Sequence, residues 1–495
     1  MPVTAPTIGV KGAFLEALHL KSGLVGFGIL ISLILVVVIT PFYASYDVVR
    51  QWSGIGPWQD NPRWAAPEWS DAFSSKKEPR NTFFDSSSFR MVVVRNTTVV
   101  NGVPLNLTII NATKKFYWSY DNFPSELSAE ITASFPGTTP DQPGQSPFIE
   151  MYWRRPDSQY VFLLARAIPG QEHNVTTTYH FSSSTGAARD TIPNIENWVI
   201  REGVSNATAL AEKNIQPHVV LFAKNDSAQL NPRASANLLQ GEYEFVVRYT
   251  GFGLQDTMGV KLKIYGTVFG LAGTDDRRRD LMTGILWGAP VALAFGVAAG
   301  LFVVLIQTIL GALSGWYGGA TDEAIQRATD IFLIIPILPI LIVISLFYRP
   351  GIWVILFVVV AFGIVGSTTK VVRSIVLQIR EEQFIEAAQA YGASRARILF
   401  RYILPRVTPY VFALVALSVP AFIFLEASLS FLGLGDPTLP TWGAILGDAY
   451  NGSSLFYGYW WWVAFPTIGI VYTAVGFALL GYAFDKVINP RLREE

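Results

Sequence analysis

Few residues in this chain are placed to do chemistry. It has four histidines and no cysteine among 495 residues, which excludes disulfides, thiolate zinc sites and a cysteine nucleophile. His173, His180 and His218 share one β-rich stretch. None has a second His or a carboxylate at the spacing that brings two ligands to one helix face, so no metal site is expected. No glycine is followed by lysine anywhere, so the phosphate-cradling loop Gly-x-x-x-x-Gly-Lys-Ser/Thr is absent. No catalytic residues are legible. What stands out are ionisable groups at apolar runs: Glu426 inside one, and Asp275, Arg279 and Asp280 at the head of another. Such groups are costly in hydrocarbon and mark either function or a paired structural role. Glu426 is therefore a gate or passage candidate, or a carboxylate bonded to backbone amides around Gly433–Gly435 or close to water. Asp275, Arg279 and Asp280 are gate candidates or the polar start of an interfacial helix.

The elements that must hold these groups divide the chain in two. Charged residues make up 15% of the whole, hydrophobic ones 51%, and mean hydropathy is +0.35. Lys plus Arg and Asp plus Glu both count 37. Disorder and a strongly basic nucleic-acid binder are both excluded. The charges are concentrated in residues 47–280 and sparse in the remainder. The remainder contains uncharged runs long enough to cross a bilayer. Their cores are Leu24–Ala44, Leu286–Leu310, Ile331–Tyr348, Ile352–Thr369, Tyr410–Phe431 and Trp461–Ala483. Lys11 and Lys21 precede the first, which is too long for a typical signal-peptide core and reads as an uncleaved anchor. The fold class expected is an α-helical polytopic membrane protein with six transmembrane helices and a β-rich extracytoplasmic domain between helices 1 and 2. The domains are 1–46, 47–270 and 271–495. Short β-branched and aromatic runs, among them Phe148–Trp153, His218–Phe222 and Tyr243–Tyr249, read as strands of a sandwich.

Lys and Arg set the orientation. Seven lie between Lys370 and Arg406, and none between Gly433 and Tyr459. Both termini and the 370–406 loop are expected in the cytoplasm of a cell-membrane protein, and the insert outside. Asn-X-Ser/Thr sequons at Asn96, Asn106, Asn111, Asn174, Asn206, Asn225 and Asn451 all fall in segments expected outside. They are glycosylation candidates, and their density suggests a glycosylating organism such as an archaeon. Tyr457, Tyr459, Trp460, Trp461 and Trp462 read as an interfacial belt. Gly296 and Gly300 form a small-xxx-small pair for helix packing, one candidate partner being a second subunit.

The 381–406 loop carries the most specific pattern. Glu386-Ala387-Ala388 is followed by three residues, Gly392, nine residues, and Tyr402-Ile403-Leu404-Pro405. Glu381–Ala390 favours a helix with Phe384, Ile385, Ala388 and Tyr391 on one apolar face, and its alanines leave room for another protein to approach. Gly392 turns the chain. Arg395–Leu404 forms a second helix, which Pro405 ends. The spacing resembles the EAA signature of permease subunits of ATP-binding-cassette importers. Gly273-Thr274-Asp275, Arg279-Asp280, Glu426–Gly435 and Asn489-Pro490-Arg491 resemble the C-type subunit of the dipeptide/oligopeptide/nickel branch. Arg278 stands where that branch has Gly, which puts a tight turn in doubt.

The resemblance implies a type I importer permease fold. It implies that Glu386, Ala387, Ala388, Gly392, Ile403, Leu404 and Pro405 couple the chain to an ATPase. It also implies a second homologous permease as heterodimer partner, two ATP-binding subunits and an extracytoplasmic substrate-binding protein. ATP and Mg would sit on the ATPases, with no cofactor in this chain. The expected substrates are di- or oligopeptides, with oligosaccharides or nickel as alternatives. A membrane-anchored receptor or exterior processing enzyme is the reading from another class, and neither needs the 386–405 pattern.

Overall fold

The computed structural model describes residues 10–54, 56–100, 103–135, 147–168, 175–183, 190–203, 215–226, 229 and 235–488. His173, Asn174, Asn206 and the ending at 489–493 lie outside the described residues. The chain forms two compact units. Trp58–Asp280 is one, and Met1–Pro57 with Leu281–Glu495 is the other.

The first helices are α1 (Val10–His19), α2 (Lys21–Tyr43) and α3 (Tyr46–Arg50). α2 leaves Leu24, Val25, Ile31, Ile34 and Val38 exposed, as a helix facing lipid would.

Among its described residues, the Trp58–Asp280 unit is built of two antiparallel sheets with two short α-helices and 3-10 turns. Its strands are β1 (Thr82–Phe84), β2 (Arg90–Val100), β3 (Val103–Trp118), β4 (Glu126–Phe135), β5 (Phe148–Arg154), β6 (Tyr160–Ala167), β7 (Val175–Ser182), β8 (Gly241–Gly251) and β9 (Thr257–Tyr265). One sheet runs β1-β9-β4-β7 and the other β2-β3-β8-β5-β6. On β4 every second side chain from Leu127 to Phe135 is buried, the period-2 pattern of a strand with one face on a core. Ile131, Val260 and Leu262 of one sheet and Ile110, Met151, Trp153 and Phe245 of the other share a single apolar core, which makes the unit a sandwich. Helix α4 is Ile192–Arg201 and α5 is Pro217–Phe222. The strand expected at His218–Phe222 is thus the helix α5. Pro217 sits in its first turn, where a missing N–H costs nothing. All of Val219–Phe222 is buried, and an unbroken apolar run does not distinguish a buried strand from a buried helix.

The chain enters and leaves this unit side by side. β1 pairs β9 over Thr82↔Ile264 to Phe84↔Leu262. Ala66 bridges Val268, and Trp64 N donates to Asp275 O at 3.1 Å. Adjacent ends are what an inserted domain requires.

The remaining helices are α6 (Leu281–Tyr317), α7 (Gly319–Ile334), α8 (Ile337–Tyr348), α9 (Ile352–Phe362), α10 (Ser367–Arg380), α11 (Gln383–Ala390), α12 (Arg395–Ile398), α13 (Leu404–Phe431), α14 (Trp442–Asn451) and α15 (Trp460–Ile488). Four helical stretches are individually long and apolar enough to cross a membrane: α2, α6, Arg395–Phe431 and α15. The third and fourth expected spans are instead bent pairs, α7 with α8 at 68° and α9 with α10 at 45°, which bring the total to six if each counts once. Pro336 explains the first bend, because it lacks a donor and holds Ile335 extended at ψ 117°. At the second, the Gln307 amide donates to the freed Gly363 carbonyl at 2.8 Å, which satisfies backbone that hydrocarbon cannot.

Glycines set the helix packing. A Cβ on Gly296 would meet Ile423, and one on Gly300 would meet Ser418 and Val419. This pair therefore packs on α13 of the same chain, so no second subunit is needed to explain it. Trp462 is fully buried and lies against Gly452, and Trp461 is 6% exposed. Of the expected aromatic belt, Tyr457 and Trp460 remain exposed, while Trp461 and Trp462 are packing residues.

Candidate functional site

The coupling pattern folds as a short helix with a defined stop. Gly392, at φ +77°, ends α11. Its N–H donates to Gln389 O at 2.9 Å, and Ala393 N donates to Ala388 O at 3.0 Å. That pairing closes a helix with a left-handed residue, a conformation glycine adopts without steric cost. Ser394 then caps α12, its Oγ accepting from Arg397 N at 3.3 Å.

α11 is split lengthwise. Ile385 and Ala388 are buried with Val372, Val376, Ile398, Leu399, Ile403 and Val407. The Arg406 guanidinium stacks 3.7 Å from the Phe384 ring centre. Glu386, Ala387 and Gly392 face outward. Tyr391, expected on the apolar face, is 92% exposed. It is the C-cap, where the backbone leaves helical geometry and the face no longer continues. Ala388 brings the helix close to its own chain, and Ala387 is exposed on the opposite face.

Pro405 does not end the second helix. A π-helical turn, Leu399–Ile403, carries α12 directly into α13, with Pro405 in the first turn of α13. The widened turn absorbs the ring and the missing donor without a break. Ile403 is buried, Leu404 half-buried and Pro405 exposed.

Asp275 and Arg279 do come together, as an ion pair buried in the β unit. Asp275 Oδ2 accepts from Arg279 Nε at 2.5 Å, and Oδ1 accepts from the Arg277 and Arg279 amides at 2.9 and 2.8 Å. Burial pushes the Asp275 carboxyl up to about 6, against the lowering effect of Arg279. Asp280 is half-buried and its backbone bridges Thr274. Arg278 has φ +66°, the left-handed conformation that glycine favours. The turn put in doubt by this arginine is therefore present. Arg278 Nη2 bonds Glu126 Oε2 at 2.5 Å and Nη1 bonds Asn61 O at 2.6 Å, and the guanidinium lies 4.3 Å from the Tyr265 ring centre.

Glu426 lies in the helical unit, 5% exposed. Oε1 accepts from Ser430 Oγ at 2.6 Å, and the Thr441 hydroxyl is its second partner. Thr441 also caps α14, so the carboxylate pins α13 to the start of α14. Its partners are hydroxyls, not the amides of 433–435.

One site the sequence reading passed over is Arg373 on Asp322, at 2.6 and 2.5 Å, with Ser314 on the same carboxylate at 2.5 Å. Neither residue stood out in the sequence: Gly319–Ile334 also carries Glu323, Arg327 and Asp330, and Arg373 is one of the seven basic residues between Lys370 and Arg406.

Comparison with known proteins agrees with this geometry. Residues 307–494 match the family model "Binding-protein-dependent transport system inner membrane component". The chain is 36% identical over 225 residues to the oligopeptide transport system permease protein OppC of Bacillus subtilis, covering 45% of this chain and 72% of that protein. It is 33% identical over 222 residues to the dipeptide transport system permease protein DppC of the same organism, covering 45% of this chain and 68% of that protein. It is 32% identical over 222 residues to the glutathione transport system permease protein GsiD of Pectobacterium atrosepticum, again 45% of this chain and 72% of that one. The matched family region contains α11 with its outward Glu386 and Ala387, and the whole chain carries the long apolar helices of a multi-pass membrane protein. The chain belongs to the ABC importer permeases, in the branch that holds the oligopeptide and dipeptide transport subunits.

Proposed function

We propose that this chain forms one half of a heterodimeric pore, with a related permease as the other half, in an ATP-driven importer of di- or oligopeptides. Two ATPase subunits bind its cytoplasmic face and carry ATP and Mg, and a substrate-binding protein delivers peptide from outside. The observation that carries this reading is α11: a helix whose Ile385 and Ala388 are buried in the chain's own core while Glu386, Ala387 and Tyr391 stand outward. A surface of that kind passes a push from a docked ATPase straight into α10, α13 and Val376 beneath it. Both termini and the 370–406 loop lie inside, and the β unit lies outside as a docking surface for the binding protein. Asn96, Asn225 and Asn451 are exposed and suited to glycosylation. Asp275, Arg279 and Asp280 brace the end of the β unit, and Glu426 braces a joint between two helices, rather than lining the passage. Oligosaccharide or nickel import would use the same machinery.

Glu386→Trp or Gly392→Val should leave the protein inserted. It should lower transport-coupled ATPase activity in the purified complex about five-fold or more, the low end of a coupling free energy of about 1–3 kcal/mol. Full activity would mean that α11 only rests on the membrane. Deleting residues 60–260 while keeping the helices should weaken association with the binding protein, and unchanged association would remove the docking role of the β unit.

A further inference from the structure

Beside the coupling helix the structure holds a cleft of about 440 Å³. Trp316 and Tyr317 at the end of α6 and Arg380 at the end of α10 form one wall. Gln389, Arg395 and Ile398 of the coupling segment form the other. Neighbouring contacts in the same segment are tight: Ile385, Ile398 and Ile403 are at most 1% exposed.

The two arginines are only partly engaged. Arg380 Nε bonds Glu381 Oε1 at 3.1 Å, which leaves its two terminal nitrogens without a partner among the described residues. The Arg395 guanidinium has no hydrogen bond or ion pair among the described residues, and its position is fixed through the backbone, where its carbonyl accepts from Trp316 Nε1 at 3.0 Å. A guanidinium presents a planar fork of donors that fits an oxyanion two bonds at a time. Two of them facing one cleft, with the Gln389 amide as a further donor, bring two positive charges to a space larger than a bare ion needs. Tyr317 is exposed where an apolar helix gives way to the charged loop, the level at which such rings meet headgroups.

We propose that this cleft binds a phosphate group carried on a small organic moiety, held by Arg380 and Arg395. The phosphate belongs to a lipid headgroup or to a soluble phosphate ester, since both offer the same oxyanion. A bound phosphate ties the ends of α6 and α10 to the coupling segment, so it stiffens the part of the chain that must move.

The full chain, reconstituted in nanodiscs, tests this. In mixed phosphatidylglycerol and phosphatidylcholine, native mass spectrometry of the released protein should show phosphatidylglycerol retained in preference. Arg380→Gln with Arg395→Gln should lower that retention at least about ten-fold, as expected for two lost charge-assisted bonds. In phosphatidylcholine alone, inorganic phosphate and glycerol 3-phosphate should raise the melting midpoint of the wild type and not of the double variant if the ligand is soluble. Retention without that shift assigns the site to lipid, and either result supports the proposal. Should the double variant fail to fold, Gln389→Glu on the exposed side of α11 should lower binding in the same assays. Equal loss in Arg397→Gln with Arg401→Gln, which lie outside the cleft, would show mere surface charge and overturn the proposal. So would the absence of both retention and shift. Loss of the ligand on adding the ATPase subunits would make the cleft a protein docking site and overturn it as well.

Discussion

In the β unit, large rings do the holding. Trp118, Trp153, Phe222 and Tyr243 meet at centroid distances of 4.6 to 5.8 Å and are almost wholly buried. In the helical unit, the closest crossings are made by residues with no side chain at all. A Cβ on Gly443 would fall 2.2 Å from Ala427 O, and one on Gly447 2.4 Å from Phe431 O. The charges differ in the same way. The β unit buries complete ion pairs, Arg278 with Glu126 and Arg279 with Asp275, whereas Glu426 in the helical unit is met by hydroxyls. A domain folding from water gains most by removing large apolar area from it. Helices already in lipid gain little from further apolar burial, so close backbone approach and short polar bonds decide their packing. The charge-rich stretch at 47–280 and the charge-poor remainder are the compositional trace of that difference.

Arg278 tests this contrast hardest. Replacing it with Ala strips the charge partner from the buried Glu126, leaving only the Ser182 hydroxyl, among the described residues, on that carboxylate, and should cost the β unit about 3–5 kcal/mol. Arg278→Gly loses the same pair but relieves the left-handed strain of roughly 1–2 kcal/mol, so it should be the milder of the two. Denaturant unfolding of the full chain, followed by the near-ultraviolet signal of the β-unit aromatics, reads both. If Gly proves as damaging as Ala, backbone conformation plays no part at this position.

A smaller effect is expected in the helical unit. Gly443→Ala adds one methyl against a backbone carbonyl, which cannot rotate away. Overpacking of this kind costs typically about 1–3 kcal/mol. The melting midpoint in detergent should fall while the unfolding of the β unit stays put. A fall in both transitions together would show that the two units are not separate in stability.

The sequence showed some of this and hid the rest for physical reasons. The four long apolar helices, the sandwich and the short helix α11 were legible because hydrophobic period and length report burial directly. The bends at Pro336 and Gly363 lay inside runs whose hydropathy never falters. The strand expected at His218–Phe222 failed because a fully buried stretch carries no period. The turn at Gly392 was legible from its residue type, but the turning of Tyr391 outward depends on where the helix stops. Arg278 shows the limit most plainly. Its residue type spoke against a tight turn, and partners far away in the chain, Glu126, Asn61 and Tyr265, hold the arginine in it.

The smallest expected effect is one of pH. Asp275 sits among Arg277, Arg279 and Asp276, and its carboxyl is raised from 3.8 to about 6 by burial. An acid whose folded value lies above its unfolded one binds its proton more tightly in the fold. Its contribution to stability is therefore complete below about pH 4 and lost as pH rises through 6. Between pH 7 and pH 5 the β unit should gain about 1 kcal/mol from this group. Asp275→Asn removes the titration, so the difference in stability between variant and wild type should change by that amount over the same window. A difference that stays constant from pH 7 to 5 would mean that Arg279 outweighs burial and keeps the carboxylate ionised. The buried pair would then be an ordinary salt bridge, and the contrast with the hydroxyl-bound Glu426 would rest on Arg278 alone.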